Sequence, residues 1–237
     1  SYQLTTPLEL GEYSIEVRAV TSQNAAANWS TPVVILVGVP TVISQPSGRL
    51  QDSTPTIAWS AVAGAENYDV IIVDKRTNTI VHQVSGRTTL QYTVPDANAL
   101  PLGNYEIQVR ANNLPAAGST RSTASVTSVA TPFTVSTPPV VTGPDVGIYD
   151  TTPTVTFTTP VGTVTSELEF LDGSGNAVFR DVNGNPITIT GINGNSYTVP
   201  NNQPLPPGQY RVRVRSYGNA GTGSTVVSDW SIPQFFQ

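Results

Sequence analysis

Asp172-Gly-Ser174-Gly-Asn176 carries oxygen donors at alternating positions, as the front of an EF-hand calcium loop does. Further along the loop departs from that pattern. Ala177 stands at the sixth position, where the turn takes Gly, and Asn183 at the twelfth, where a Glu closes the shell. Asp172, Ser174 and Asn176 are thus calcium candidates, with an ordinary hairpin turn as the competing account. Asp145 with Asp150 is a second candidate cluster. His82, the single histidine, falls in the alternating run Ile80-Val81-His82-Gln83-Val84. No Gly-x-Ser-x-Gly elbow exists for it to serve, so a Ser–His–Asp triad has no nucleophile and His82 reads as a surface strand residue. Carboxylates sit singly at polar strand positions (Glu16, Glu106, Glu169) or turns (Asp74, Asp145, Asp172) and read as solvated. No pair is nominated for glycoside hydrolysis, which needs two at a fixed separation. Tyr149, Tyr217, Trp29 and Trp230 are candidate aromatic platforms for a glycan, and Asn28-Trp29-Ser30 is the lone glycosylation sequon.

Composition narrows the chemistry further. The chain has 237 residues, one lysine (Lys75), no cysteine and no methionine. Without Cys there is no disulfide frame, thiolate nucleophile or Cys-ligated metal, and one His excludes a multi-His zinc site within the chain. Charged residues make up 11%, and the net charge is −5. So few basic side chains argue against nucleic acid, whose binding rests on them. No apolar run reaches the ~18 residues of a membrane span, so no insertion is expected of this segment. A hydrophobic content of 38% at low charge density is enough to build cores. The missing Met predicts a processed product or a segment of something longer.

Any such residue is positioned by elements that repeat. LELGEYSIEVRA from Leu8, LPLGNYEIQVRA from Leu100 and LPPGQYRVRVRS from Leu205 share Leu-x-x-Gly-x-Tyr, an alternating run and Val-Arg-small. Their tyrosines, Tyr13, Tyr105 and Tyr210, are spaced by 92 and 105 residues. TPTIAWSAVAGAENYDVIIVD from Thr54 recurs as TPTVTFTTPVGTVTSELEFLD from Thr152, offset by 98, so that Trp59 matches Phe157. The offset grows from 98 to 105, which places seven extra residues in the Asn-Gly-rich stretch 182–195. The repeats divide the chain into a partial unit, 1–37, and two full units, 38–136 and 137–237.

Within each unit the apolar pattern has period 2. Tyr105, Ile107 and Val109 alternate with Glu106, Gln108 and Arg110, the signature of a half-buried strand. Asp-Lys-Arg-Thr-Asn at 74–78 and Asp-Gly-Ser-Gly-Asn at 172–176 read as hairpin loops at one repeat position. About seven short strands per unit predict an all-β chain of tandem, antiparallel immunoglobulin-like sandwiches. Trp59 and Phe157 are expected to fill the two core centres. Tyr13, Tyr105 and Tyr210 are expected at tyrosine corners, each hydroxyl bonded back to the preceding loop.

Trp59 in the second strand, Tyr68 in the third, Leu-x-x-Gly-x-Tyr-x-Val-x-Val-Arg-Ala and the late Trp-Ser pairs (Trp29-Ser30, Trp230-Ser231) together resemble fibronectin type III repeats. The Thr-rich version in very large bacterial surface and secreted proteins is most similar. The resemblance covers essentially the whole chain. Phe157 replaces the Trp and Ser166 the third-strand Tyr in the last unit, and the middle unit lacks the late Trp-Ser, having Arg121-Ser122 nearby. The resemblance implies a spacer, stalk or adhesive role, outside the cell or on its surface.

Residues 1–37 are expected to hold three strands, around Tyr2–Leu4, Tyr13–Ala19 and Val33–Val37, which cannot cover their own apolar face. The expectation is a chain cut from a longer array, with the front half of that unit upstream. The short Pro-bearing joints 37–40 and 135–139 act as semi-rigid spacers and predict a rod. Function then reads as a non-enzymatic stalk, fibre or adhesin shaft of an extracellular bacterial protein, open to filament assembly. Its expected partners are neighbouring repeats, other copies, surface glycans or cell-envelope proteins. The alternative is an accessory, carbohydrate-binding sandwich region of a secreted polysaccharide-degrading enzyme.

Overall fold

The computed structural model describes residues 2–113, 126–145, 147, 150–221 and 224–237. Arg121, Ser122 and Tyr149 therefore lie outside the described residues. No α-helix occurs among the described residues, and a 3-10 turn spans Asp96–Asn98. The strands are β1 (Gly11–Ile15), β2 (Val33–Val37), β3 (Ile43–Gln45), β4 (Gly48–Leu50), β5 (Thr56–Trp59), β6 (Asn67–Asp74), β7 (Thr79–Arg87), β8 (Gln91–Thr93) and β9 (Gly103–Asn112). They continue as β10 (Thr131–Val135), β11 (Val140–Gly143), β12 (Thr154–Thr158), β13 (Thr163–Asp172), β14 (Ile189–Ile192), β15 (Ser196–Thr198), β16 (Tyr210–Gly221), β17 (Ser224–Val227) and β18 (Gln234–Phe236).

The middle unit stacks a three-stranded sheet, β3-β5-β8, on a five-stranded one, β4-β10-β9-β6-β7. Pairing is antiparallel except that β4 runs parallel to β10. Alternate residues of each strand turn inward. Ile57, Trp59, Tyr68, Val70, Ile72, Tyr105, Ile107, Val109 and Phe133 join one buried cluster. Each such side chain contributes roughly 1.5–3 kcal/mol through its removal from water. Trp59 packs on Tyr68, ring centroids 5.6 Å apart, and Tyr105 stacks on Phe133 at 5.4 Å.

The third unit repeats the frame with β11-β12-β15 over β14-β13-β16-β17, and β18 also pairs with β16. Phe157, Leu168, Phe170, Val212, Val214 and Phe236 form its core. The extra residues make a small secondary hairpin after β13. Asn185 N–H donates to Asp181 Oδ1 at 2.7 Å, and Ile187 N–H to the Phe179 carbonyl at 2.9 Å. Its cost is small because loop-closure entropy grows slowly with length.

The partial unit is smaller than its sequence predicts. Tyr2–Leu4 is not a strand, and β1 pairs only with β2. Ladder pairing ends at Ile15, while the matching strand β9 runs on to Asn112. The physical reason is the edge. Residues 108–112 of β9 are held by β6, and among the described residues no strand lies at that position beside β1.

Candidate functional site: the joints between units

Both joints use one device. In the first, Leu10 N–H donates to the Ala63 carbonyl at 3.0 Å; in the second, Leu102 N–H donates to the Val161 carbonyl at 2.9 Å. Leu10 and Leu102 hold the same place before the Gly-x-Tyr of their repeats, and Ala63 and Val161 match across the 98-residue offset. Both leucines are buried. The residue after each acceptor is a glycine with positive φ, +81° at Gly64 and +85° at Gly162. A Cβ on Gly64 would come within 2.8 Å of the Leu10 carbonyl oxygen, and one on Gly162 within 2.9 Å of Pro101 Cβ. Only glycine permits both that backbone turn and that approach.

Local details differ around the common clasp. Asn113 Nδ2 donates to the Leu10 carbonyl at 3.1 Å. Its match at the second joint is Gly218, where a Cβ would lie 2.9 Å from that of Leu102. The second joint has a tie besides. Ser136 N–H and Oγ–H both donate to the Leu50 carbonyl, at 2.7 and 2.8 Å, and its own carbonyl accepts Asp229 N–H at 3.0 Å. The Asp229 carboxylate accepts from Arg49 Nε at 2.8 Å and Gln51 Nε2 at 2.6 Å, and Arg49 also donates to the Val227 carbonyl. At the head of the third unit, Pro207 stands in the place of Leu102 and has no N–H to donate. A cavity of about 560 Å³ lies there, lined by Leu205, Pro206, Pro207, Tyr210 and Phe236 among others.

The tyrosine hydroxyls donate four residues back: Tyr13 to the Glu9 carbonyl at 3.1 Å, Tyr105 to Pro101 at 2.9 Å and Tyr210 to Pro206 at 2.5 Å. Each thereby braces the loop that carries the clasp leucine or its Pro replacement. Burial pushes the Tyr105 hydroxyl far above its usual range, helped by the Asp74 charge and opposed by Arg76. The serines of the late Trp-Ser pairs also have a shared task. Ser30 Oγ accepts Val17 N–H at 3.0 Å, and Ser231 Oγ accepts Val214 N–H at 3.0 Å. Ser128 does the same for Val109 at 3.0 Å, so the middle unit keeps the serine, with Thr127 in place of the Trp. Without the Trp beside it, Ser128 carries no motif that marks this task in the sequence.

The chemistry-bearing residues are dispersed. The Asp172 carboxylate accepts Ser174 N–H at 2.9 Å, Asn176 N–H at 2.8 Å and Asn176 Nδ2 at 3.2 Å. Bonds from Asn176 hold its carboxyl below the ordinary range, against an opposing effect of burial. The three calcium candidates thus form a hydrogen-bonded hairpin turn. No group of three or more His, Cys, Asp or Glu side chains placed to hold a metal ion occurs among the described residues. His82 Nε2 lies 2.7 Å from the Tyr92 hydroxyl, linking the two sheets of the middle unit, and burial lowers its pKa. Trp29 stacks with Arg18 at 4.5 Å, and Trp230 with both Arg213 and Arg215 at 4.6 Å. Tyr217 lies 5.7 Å from Arg215. Glu169, expected to be solvated, is only 7% exposed, and Glu167, two residues before it, is 3% exposed. Glu169 pairs with Arg213 at 2.6 Å and Glu167 with Arg215. The signal was the matching two-residue parity of these acids and arginines on adjacent strands.

Among the described residues no helix is long and apolar enough to cross a membrane. No protein-family model matches the chain, and no curated protein matches it. Among solved structures it is similar to a two-domain fibronectin type III segment from chicken tenascin, at 14% identity and a TM-score of 0.51 over 82% of this chain and 95% of that one. It is also similar to a tetra-tandem repeat in the extending region of a large adhesion protein, at 13% identity and a TM-score of 0.32 over 97% of this chain and 57% of that one. The BSP domain of a biofilm associated protein is similar at 15% identity and a TM-score of 0.28, covering 83% of this chain and 29% of that one. The chain is all-β, a tandem array with the fibronectin type III fold.

Proposed function

We propose that the chain is a non-enzymatic structural segment, the stalk, fibre or adhesin shaft of a large extracellular bacterial protein. The repeated clasp is the observation that carries this reading. A backbone bond, a buried leucine and an obligatory glycine recur at two successive joints. A device of that kind fixes the angle between neighbours, and fixed angles make a spacer. Among the described residues the buried acids Glu167 and Glu169 are paired with arginine and His82 with Tyr92, arrangements that support a structural role for these groups. Neighbouring repeats are the primary partners, and lateral pairing of copies into filaments is the second.

Small-angle scattering and electron microscopy of the purified protein test the reading. A rod with a narrow distribution of angles at both joints is expected; freely hinged beads would overturn it. A glycan array accompanies the test, and specific micromolar binding would favour a carbohydrate-binding accessory region instead.

A further inference from the structure

The stretch between β13 and β15 uses one four-residue pattern twice. Val182-Asn183-Gly184-Asn185 and Ile192-Asn193-Gly194-Asn195 each place a β-branched residue before Asn-Gly and a second Asn after it. These are the only Asn-Gly pairs in the chain. An Asn side chain followed by Gly is open to attack by the next backbone nitrogen, because Gly has no Cβ to block the approach. With like neighbours, the two sites have equal intrinsic reactivity.

Their steric settings are also alike. Gly184 and Gly194 have φ of +83° and +96°, a Cβ on either would meet nothing within 4 Å, and both Asn-Gly pairs are exposed. Hydrogen bonding separates them. Gly184 is gripped at both ends: its N–H donates to the Asp181 carbonyl at 2.9 Å, and its carbonyl accepts Arg180 Nη1 at 2.7 Å. The Asp181 carboxylate accepts the flanking N–H groups of Asn183 and Asn185 at 2.9 and 2.7 Å. Gly194 lies in a bend without such a turn. Among the described residues no group accepts its N–H and none bonds the Asn193 side chain, so both are left to water.

We propose that Asn193 is a site of spontaneous deamidation in the folded protein, and that its turn shields Asn183 from the same reaction. The Gly194 backbone nitrogen bonds to Asn193 Cγ and gives up its proton. The Cγ–Nδ2 bond breaks, and ammonia leaves with that proton. Water then adds to one of the two carbonyl carbons of the cyclic imide and opens it to aspartate or isoaspartate. Water is the only reagent, and nothing is oxidised or reduced. At Asn183 the same attack first requires the Gly184 N–H to leave Asp181 and the turn to open.

The place gives the change a consequence. Residues 193–195 carry the chain from β14 in one sheet to β15 in the other. The Asn195 carbonyl accepts Phe157 N–H at 3.0 Å, as the Leu90 carbonyl accepts Trp59 N–H at 3.1 Å in the middle unit. Isoaspartate lengthens the main chain by one carbon at this crossing, and either product adds a negative charge. Thr88-Thr89 occupies the matching place in the middle unit, so the change is confined to the third.

Peptide mapping by mass spectrometry, on protein held at neutral pH and physiological temperature, reads conversion at residues 183 and 193 separately. In the folded protein Asn193 should convert on the order of 10-fold faster than Asn183, the ratio expected when one of two equal sites must first break hydrogen bonds of ordinary worth. In urea, where the turn is lost, the two rates should converge. Asp181→Ala, which strips the turn of its carboxylate, should speed conversion at residue 183 and leave that at residue 193 unchanged. Asn193→Thr, which installs the middle unit's residue, should abolish conversion at that site. Equal rates in the folded protein, or slower conversion at Asn193 than at Asn183, would overturn the proposal. A difference that persists unchanged in urea would overturn it as well, by assigning the selectivity to sequence instead of the turn.

Discussion

The middle and third units share a frame and weight its two ends differently. In the middle unit the aromatic mass sits at the start of β6, where Trp59 packs on Tyr68 and the Tyr68 hydroxyl accepts Val62 N–H at 3.0 Å. In the third unit those places hold Phe157 and Ser166, and Ser166 Oγ lies 3.3 Å from Ser216 Oγ. At the far end both units stack a tyrosine on a phenylalanine, Tyr105 on Phe133 and Tyr210 on Phe236, and the third unit adds two further rings there. Phe170 packs against Phe179 at 5.6 Å and Phe236 at 6.1 Å, and Phe236 stacks on Tyr210. A core demands total volume and inward alternation, so either end can carry the rings. The acceptor half of the clasp, a carbonyl followed by a positive-φ glycine, shows no such freedom and is kept in both units.

Trp59→Ala should therefore have the largest effect. It empties the centre of the middle core and should cost about 3–5 kcal/mol, read as a shift of that unit's denaturation midpoint with the third unit's unmoved. Trp59→Phe, which installs the third unit's residue, should cost about 1–2 kcal/mol. It leaves a smaller void and removes an indole N–H that is buried without a partner. If Trp59→Phe cost as much as the alanine variant, the two cores would not be alternative fillings of one frame.

Gly162→Val comes next. A β-branched residue at φ +85° is strained by about 1–3 kcal/mol, and its Cβ meets Pro101 and Leu102. The clasp should open while the third core stays folded. Faster amide exchange at Leu102 and a broadened interdomain distance distribution would register it. Gly64→Val should act likewise at the first joint, on Leu10. Asp229→Ala, which removes only the tie to Arg49 and Gln51, should cost under about 1 kcal/mol, because the ion pair is half-exposed and screened by salt. An effect of Asp229→Ala as large as that of Gly162→Val would assign the second joint to the tie instead of the clasp.

Much of this was legible in the sequence, for reasons that differ by residue. Period-2 alternation reports inward and outward faces directly, so β6, β9, β13 and β16 could be read, as could the places of Trp59, Phe157 and the three tyrosines. Leu10 and Leu102 were visible as repeat letters, but their task was not. It depends on a carbonyl far away in sequence, at Ala63 or Val161, and on a glycine whose φ no alternation encodes. Glu169 was misread because alternation assigns it outward and says nothing of the arginine that covers it. Tyr2–Leu4 was misread because a strand needs a partner edge, and local pattern cannot say that the edge is unoccupied.

The smallest expected effect contrasts the hairpins after the matched strands. The third unit has two turns of one design, since Asp181 accepts Asn183 and Asn185 N–H at 2.9 and 2.7 Å as Asp172 accepts Ser174 and Asn176. Hydrogen bonds from Asn185 lower the Asp181 pKa, and those from Asn176 lower that of Asp172. For a depressed carboxyl, stabilisation is complete above the unfolded value near 4 and is lost as pH falls through the lower folded value. The turn amides of Ser174, Asn176, Asn183 and Asn185 should therefore keep their chemical shifts as pH drops to about 4 and change together below it. Both carboxylates lie in surface turns, so the thermal midpoint should move little. Asp172→Asn should abolish the transition at Ser174 and Asn176 and leave that at Asn183 and Asn185 in place. Calcium titrated at neutral pH should shift none of these amides, because the carboxylate oxygens are already occupied by N–H donors; a saturable shift confined to Ser174 and Asn176 would return Asp172, Ser174 and Asn176 to metal binding.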